Sequence, residues 1–400
     1  MQNEVIKGAK RLDNMYFSPV RQVLEKAAQI AQAGHTVIPF SAGEPDFDTP
    51  SQIKEDTIRA IEKNLTHYAP NRGVLALREE ISKSFETHCG VHYDPVDEII
   101  LTAGGAEAVN NAFLAFVDPG DEVIVFTPAF MNYENMIAMA GGVMVAIPLE
   151  KEDEFQINIE KVKEKITSKT KMIVVNNPCN PTGVVYKKQV LKQLAELAVA
   201  HNLLVFSDEI YNEISYDGEV CYSIASFEGM RERTITMNGF SKAYAMTGWR
   251  LGILASDRDI ITKLLKIHQY TTTCTPTFIQ HGLVTSMNSS RTNKEKEEML
   301  KAFARRRTLL LEGLDEIQSL SYIKPMGAFY VFVDVSRTGM SGEEYANRLL
   351  EEKYVATVPG IKLGKECGDF IRISFATSDE NIKEGLRRMK EFEADYTNRK

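Results

Sequence analysis

Five short apolar runs alternate with helical segments through the middle of the chain, and this alternation constrains the fold more than any other feature. The runs span 98–102, 121–126, 171–176, 203–208 and 234–238, and a stretch rich in Leu and Ala, 189–201, separates the third from the fourth. Apolar runs of this length are typical of strands buried on both faces. The sequence therefore predicts an α/β fold with a mostly parallel sheet flanked by helices.

The C-terminal third follows a different pattern. A long charged helix is predicted at 293–314, apolar strands at 327–333 and 370–375, and a charged amphipathic helix at the end. A chain of 400 residues is long enough for two domains. We expect a large domain at 49–290, and a smaller α+β domain formed by 1–48 together with 291–400.

Charge and cysteine content narrow the possible partners. The net charge of −8 is spread along the chain, which argues against nucleic-acid binding. The five cysteines are scattered and the seven histidines form no metal-binding motif, so we expect a reducing compartment and no metal site. The polar segment 1–7 does not resemble a signal peptide, and no apolar run is long enough to span a membrane. These features predict a cytoplasmic protein with no membrane contact.

Polar residues stand where several predicted strands end. Asn176, Asp208 and Asn238 each close an apolar run. Ligands of parallel sheets bind at the carboxyl ends of the strands, so these three positions predict a binding site at one rim.

The segment 239–252 carries the most specific pattern in the chain. Lys242 lies among small residues, and Arg250 follows eight positions later with glycines around both. An amine can form a Schiff base with an aldehyde, and a guanidinium can hold a phosphate as a planar charged fork. A Ser-Lys pair alone would mean little, but the whole pattern suits an aldehyde cofactor that carries a phosphate.

Asp208 and Tyr211 form a second candidate pair, in the sequence Asp-Glu-Ile-Tyr directly after a predicted strand. A buried carboxylate is costly unless it meets a cation. Asp208 could cap a helix, or it could pair with a protonated pyridine nitrogen and keep that ring an electron sink. Tyr211 could be a core-edge residue, or it could reach an oxygen on the same ring.

The turn 102–108 links a strand to a helix through Gly104 and Gly105. Glycines let the backbone approach an anion, and a helix N-terminus offers free N–H groups, so a phosphate could bind the amides of Gly105 and Ala106. The turn matches no nucleotide-binding motif and could also be an ordinary tight βα turn.

Two X-Pro steps and a glycine define the loop 177–183. The loop could simply be rigid. Alternatively, it could present the Asn180 amide to an oxygen of the cofactor ring.

Arg372 lies between two isoleucines in a predicted C-terminal strand, where a cation needs a partner. It could form a structural salt bridge, or it could clamp a substrate α-carboxylate in a bidentate manner. The turn-rich stretch 41–47 could add the amide of Gly43 to the same carboxylate.

Together these motifs resemble class I, fold type I aminotransferases dependent on pyridoxal 5'-phosphate, most closely the aspartate and aromatic enzymes of bacteria and archaea. The resemblance covers essentially the whole chain. It implies a homodimer with shared active sites, in which Tyr68 lies near the phosphate of the neighbouring subunit. It implies that Lys242 carries the Schiff base and that Arg372 with Gly43 and Asn180 binds substrate. The other implied cofactor contacts are Gly105, Ala106, Phe130, Asn180, Asp208, Tyr211, Ser241 and Arg250.

The implied activity is ping-pong transfer of an amino group from an L-amino acid, aspartate or aromatic, to a 2-oxo acid such as 2-oxoglutarate. Phe130 at the ring-stacking position looks more like the aromatic enzymes. Lys266 and His268 lie roughly where the family reads side chains, but neither fits a motif for a second substrate carboxylate. A carbon–sulfur β-lyase on the same fold, or a non-catalytic regulator that keeps the cofactor fold, remains an alternative.

Overall fold

A computed structural model describes residues 7–397 of the chain. The ends of the predicted small domain, 1–6 and 398–400, lie outside the described residues, and with them nearly all of the polar segment 1–7. The helices are α1 (Pro19–Gln32), α2 (Ser51–Glu62), α3 (Leu75–Cys89), α4 (Gly105–Phe116), α5 (Asn132–Ala140), α6 (Ile159–Lys165), α7 (Lys188–Ala200), α8 (Arg258–Thr271), α9 (Thr277–Ser286), α10 (Ser290–Asp315), α11 (Gly342–Lys353) and α12 (Asp379–Thr397).

The strands form two sheets. They are β1 (Ile99–Thr102), β2 (Glu122–Thr127), β3 (Val143–Pro148), β4 (Thr170–Asn176), β5 (Leu204–Asp208), β6 (Thr234–Gly239), β7 (Gly252–Ala255), β8 (Ser321–Tyr322), β9 (Tyr330–Asp334), β10 (Val358–Pro359) and β11 (Phe370–Ser374). The larger sheet has the order β1-β7-β6-β5-β4-β2-β3, and the smaller has the order β10-β11-β9-β8.

The larger sheet confirms the predicted α/β architecture. Strands β3, β2, β4, β5 and β6 pair in parallel, while β7 runs antiparallel to both of its neighbours, β1 and β6. The antiparallel direction of β7 follows from its connection to β6, because a parallel return usually runs through a crossover helix. The connection between β6 and β7 instead holds the Lys242 segment and only a short 3₁₀ turn.

Helices cover both faces of this sheet, as predicted. Along β2, Val123 and Val125 face a core that includes residues of α4, α5 and α8. Ile124 and Phe126 of the same strand face the opposite core, to which α6 and α7 contribute. Side chains of a strand alternate between its faces, so this division places helices on each face of the sheet. The carboxyl ends of the strands form a rim that these helices leave open.

The smaller sheet is wholly antiparallel and lies after residue 320. The N-terminal segment joins it, since the Ile38 amide donates to the Tyr354 carbonyl at 2.8 Å and the Ser374 amide donates to the Phe40 carbonyl at 2.8 Å. Helices α10, α11 and α12 contribute to the same core. The domain boundaries at 48/49 and 290/291 stay a prediction. Within residues 7–397, no helix has the length and apolar character needed to cross a membrane.

Candidate active site

Lys242 lies in the β6–β7 connection, partly buried at the rim of the larger sheet. Its Nζ donates a hydrogen bond to the Gly43 carbonyl and lies 5.7 Å from the ring centroid of Phe329. Burial lowers the pKa of the amine from 10.5 to about 8. Among nearby charges, Glu44 and Asp208 raise this pKa, whereas Arg372 and Arg250 lower it further. The amine is thus brought into the range where a lysine can act as a nucleophile or base.

Asp208 ends β5 and is 4% exposed. Its carboxylate accepts hydrogen bonds from the Tyr133 hydroxyl at 2.5 Å and from the Ile210 amide at 3.2 Å. Burial raises its pKa to about 6, while those two hydrogen bonds and the charge of Lys242 act in the opposite direction. In the described chain no helix begins directly after Asp208, so Asp208 does not cap a helix.

Asn180 is fixed to the same rim by Asn176, which ends β4. The Asn176 side chain accepts a hydrogen bond from the backbone amide of Asn180 at 2.8 Å. It donates one to the backbone carbonyl of Asp208 at 3.1 Å. Asn176 and Asp208 are direct register partners in the sheet. Asn180 is followed by a cis peptide bond to Pro181 in the loop after β4. Two of the three polar strand ends predicted to meet are therefore joined by hydrogen bonds.

Arg372 enters the site from β11 of the smaller sheet and is 4% exposed. It donates to the Asn180 side-chain oxygen at 3.0 Å and to the Ser41 carbonyl at 3.1 Å, and its guanidinium lies 4.4 Å from the Tyr330 ring centroid. Its Nε is buried without a hydrogen-bond partner in the described structure. None of the ion pairs formed within residues 7–397 includes Arg372, so the predicted alternative of a structural salt bridge is not seen. A buried cation without an anion suits a carboxylate ligand.

The turn before α4 has the features of an anion site. Gly104 adopts φ +77° and α4 begins at Gly105 without a side-chain cap. A Cβ on Gly104 would collide with the guanidinium of Arg250, which itself has φ +54° and donates to the Thr247 carbonyl at 3.0 Å. Uncapped N–H groups and an arginine at one helix N-terminus can bind a phosphate.

The remaining predicted residues differ in how closely they approach this cluster. Tyr211 is buried, with its hydroxyl 3.0 Å from that of Tyr330. Phe130 lies edge-on to Tyr133, with ring centroids 5.8 Å apart. Ser241 is buried directly before Lys242. Tyr68, in contrast, is 88% exposed on the surface of the chain.

Three residues raised by the sequence lie elsewhere or act differently. Asn238 bonds the amide of Gly239 at 2.7 Å and lines a groove on another side of β6 with Phe85 and Cys89. Lys266 is exposed on α8. His268 is fully buried, and its Nδ1 lies 2.8 Å from Glu107.

The sequence reasoning missed two groups. Tyr133, which donates to Asp208, lies in α5, whereas Phe130 precedes that helix, so helical spacing gave no signal for Tyr133. Glu44 lies near Lys242 and accepts a hydrogen bond from the Thr247 hydroxyl at 2.7 Å. Its position beside Pro45 in a turn gave no indication of that contact.

Comparisons with known proteins give consistent matches over nearly the whole chain. The family model for aminotransferases of class I and II matches residues 35–389. An aspartate aminotransferase of Pyrococcus abyssi is 43% identical over 379 residues, covering 95% of this chain and 96% of that protein. An aromatic-amino-acid aminotransferase of Thermococcus litoralis is 40% identical with the same coverage. The solved structure of Thermus thermophilus aspartate aminotransferase with maleate has a TM-score of 0.91 and 39% identity, covering 96% of this chain and 99% of its own.

Proposed function

The chain belongs to the class I and II aminotransferases, which depend on pyridoxal 5'-phosphate, and from this premise we propose its reaction in more detail. It transfers an amino group from an L-amino acid, aspartate or aromatic, to a 2-oxo acid such as 2-oxoglutarate in a ping-pong sequence. The observation that carries the proposal is Arg372. Its buried charge has no carboxylate partner in the described chain, and it lies close enough to lower the pKa of Lys242. A substrate α-carboxylate would complete the charge pair next to the reactive amine.

The described residues fit the cofactor at both of its ends. The uncapped N-terminus of α4, with the amides of Gly105 and Ala106, would hold the phosphate together with Arg250. At the opposite end, Asp208 would pair with the protonated ring nitrogen. Its carboxylate is buried, and a buried carboxylate is stabilised by a nearby cation. Phe130 would cover one face of the ring. Ser241 would contact the phosphate region from the Lys242 segment.

When bound, the cofactor supplies an aldehyde that reacts with amines and a protonated ring that takes up negative charge from the substrate. Lys242 has two tasks in this scheme. Its Nζ would hold the cofactor covalently and, once displaced by the substrate amino group, would accept the proton that leaves the substrate Cα. A positioned acid–base group contributes a rate factor of about 10²–10⁴. Its lowered pKa suits the first task, since only a neutral amine can attack the aldehyde.

Three residues would set the protonation and hydrogen bonding of the cofactor ring: Asp208, Tyr211 and Asn180. Asp208 would remain ionised while the ring nitrogen stays protonated, and Tyr133 supports that carboxylate with its hydroxyl. The hydroxyl of Tyr211 and the side-chain amide nitrogen of Asn180 would donate hydrogen bonds to the ring oxygen. Asn180 would also align Arg372, whose Nη1 it already accepts. Gly43 would donate its amide to the substrate carboxylate once the Lys242 amine leaves the Gly43 carbonyl.

Substrate choice remains between aspartate and the aromatic amino acids. Of the two relatives described above, one is named an aspartate aminotransferase and the other an aromatic-amino-acid aminotransferase. Lys266 points to solvent on α8 and His268 bonds Glu107, so neither supplies a cation for a second carboxylate from the same chain. A second carboxylate would need a cation other than these two, whereas an aromatic side chain would need none.

The proposed assembly is a cytoplasmic homodimer with shared active sites. Tyr68 supports it, because a tyrosine exposed to 88% is available to a partner subunit. The cysteines of the described chain are all unpaired, which fits a reducing compartment.

The test is a half-reaction without an amino acceptor. The purified enzyme is mixed in turn with aspartate, phenylalanine, tyrosine, alanine and cystathionine, and released 2-oxo acid and ammonia are measured. We expect one equivalent of 2-oxo acid per site from aspartate or an aromatic donor, with further turnover only after 2-oxoglutarate is added. Lys242→Ala serves as the control and should retain at most slow residual turnover. Continuous release of pyruvate and ammonia from cystathionine would establish the β-lyase instead, and no product from any donor would refute both.

A further inference from the structure

A buried pair, Glu107 with His268, lies directly behind the turn assigned to the cofactor phosphate. Glu107 is the third residue of α4, and its carboxylate accepts a hydrogen bond from the amide of Ala103, on the strand side of the turn. The same carboxylate therefore ties the start of the helix to the segment that precedes Gly104. Glutamates at this helix position often reach back in this way.

What is unusual is the support that Glu107 receives from α8. His268 is 0% exposed, and its Nδ1 lies 2.8 Å from Glu107 Oε1. Asn111 donates to that oxygen at 3.0 Å and Thr271 at 3.3 Å. Nε2 of His268 is buried without a partner in the described chain, so the hydrogen bonding of this ring is directed at Glu107.

The electrostatics of the position require such support. A carboxylate in the first turn of a helix competes with an anionic ligand for the same positive end of the helix dipole. The pKa of Glu107 is held low: burial acts to raise it, but the hydrogen bonds from His268 and from the Ala103 amide act more strongly together with the histidine's charge. One oxygen of the ionised carboxylate is thus engaged by the Ala103 amide of the turn, and the other by His268, Asn111 and Thr271.

We propose that Glu107 and His268 are positioning residues for the cofactor phosphate: they fix the Ala103–Ala106 turn so that its amides face the anion. The inference rests on the proposed phosphate site at the N-terminus of α4. It predicts an effect confined to ligands that carry a phosphate. Loss of either side chain would loosen the turn, and loss of His268 would also leave a less compensated negative charge behind it.

The experiment compares pyridoxal 5'-phosphate with pyridoxal, which lacks the phosphate, as ligands of the full-length chain freed of cofactor. We expect Glu107→Ala and His268→Ala each to weaken pyridoxal 5'-phosphate by about tenfold, the effect of one well-placed hydrogen bond, with pyridoxal changed less than twofold. His268→Asn, which can keep a donor near Nδ1, should recover most of the affinity. The double variant should lose less than the sum of the single losses, because the two side chains act as one unit.

Two further variants separate the possible failures. Tyr93→Phe removes a buried hydrogen bond of 2.8 Å to Thr236, away from α4, and should lower stability without changing the ratio of the two affinities. Arg250→Ala should reduce that ratio strongly. If it does not, the assigned phosphate site is wrong and the inference falls with it. If Arg250→Ala acts as expected but the Glu107 and His268 variants weaken both ligands equally or neither, the site stands and the positioning role is refuted.

Discussion

The lowered pKa of Lys242 predicts how fast the enzyme captures its cofactor at each pH. Only the neutral amine attacks an aldehyde, so the capture rate should rise about tenfold per pH unit and level off near the pKa of about 8. A lysine with a pKa of 10.5 is neutral to roughly 0.03% at pH 7, whereas a pKa near 8 makes it roughly 10% neutral. At pH 7 the surroundings of Lys242 thus raise the neutral fraction of its amine, and with it the expected capture rate, by about 300-fold.

Glu44 provides the perturbation that tests this reasoning. Its charge raises the pKa of Lys242, so Glu44→Gln should move the level-off point to lower pH while the glutamine oxygen can still accept from Thr247. The matched control is Asp48→Asn, which removes the same charge from the same loop but from a carboxylate paired with Lys54 at 3.2 Å. The assay is stopped-flow absorbance on mixing cofactor with the cofactor-free enzyme from pH 6 to 10. A level-off point near 10 in the wild type, or an upward shift in Glu44→Gln, would refute the argument.

Three further substitutions test other parts of the site. Arg372→Lys keeps the charge but loses the planar fork, so kcat/KM for amino donors should fall by about 10–100-fold in steady-state assays, and an unchanged value would exclude the clamp. Tyr133→Phe removes a hydrogen bond that lowers the pKa of Asp208, so the acidic limb of the kcat/KM–pH profile should move to higher pH; a limb that stays in place would contradict this role. Gly104→Ala combines strain at φ +77° with a collision against Arg250, so thermal unfolding should show a loss of about 1–3 kcal/mol and cofactor titration a weaker affinity, and wild-type values in both would be inconsistent with the turn described.

The alternation of apolar runs was sufficient to predict β1, β2, β4, β5 and β6 of the larger sheet, because strands buried on both faces leave a clear pattern. It did not predict β3, whose residues are largely exposed or half-buried at the sheet edge and therefore lack that pattern. It also did not predict β7, whose four residues follow the Lys242 segment directly. The exposure of β3 removes the signal that a buried apolar run supplies.

The sequence marks candidate site residues where chemistry is concentrated in a short segment, as around Lys242 and Asp208. It does not mark them where side chains meet across the fold. Tyr133 reaches Asp208 from 75 positions away, and His268 reaches Glu107 from 161 positions away. Such contacts depend on how α5 and α8 are set against the sheet. No local pattern of polar and apolar residues contains that information, and His268 was consequently considered for a substrate contact that the structure does not support.

The charges around Lys242 also bear on how one amine would serve both proposed steps. Arg372 and Arg250 lower its pKa, so the lysine is most readily neutral, and most nucleophilic, before anions reach either arginine. A phosphate at Arg250 and a carboxylate at Arg372 would offset those positive charges and so raise the pKa of Lys242. The amine would then be a stronger base at the stage when it must take the proton from the substrate Cα. In the proposed reaction, the two arginines that would anchor the ligands would therefore also adjust the lysine to each step in turn.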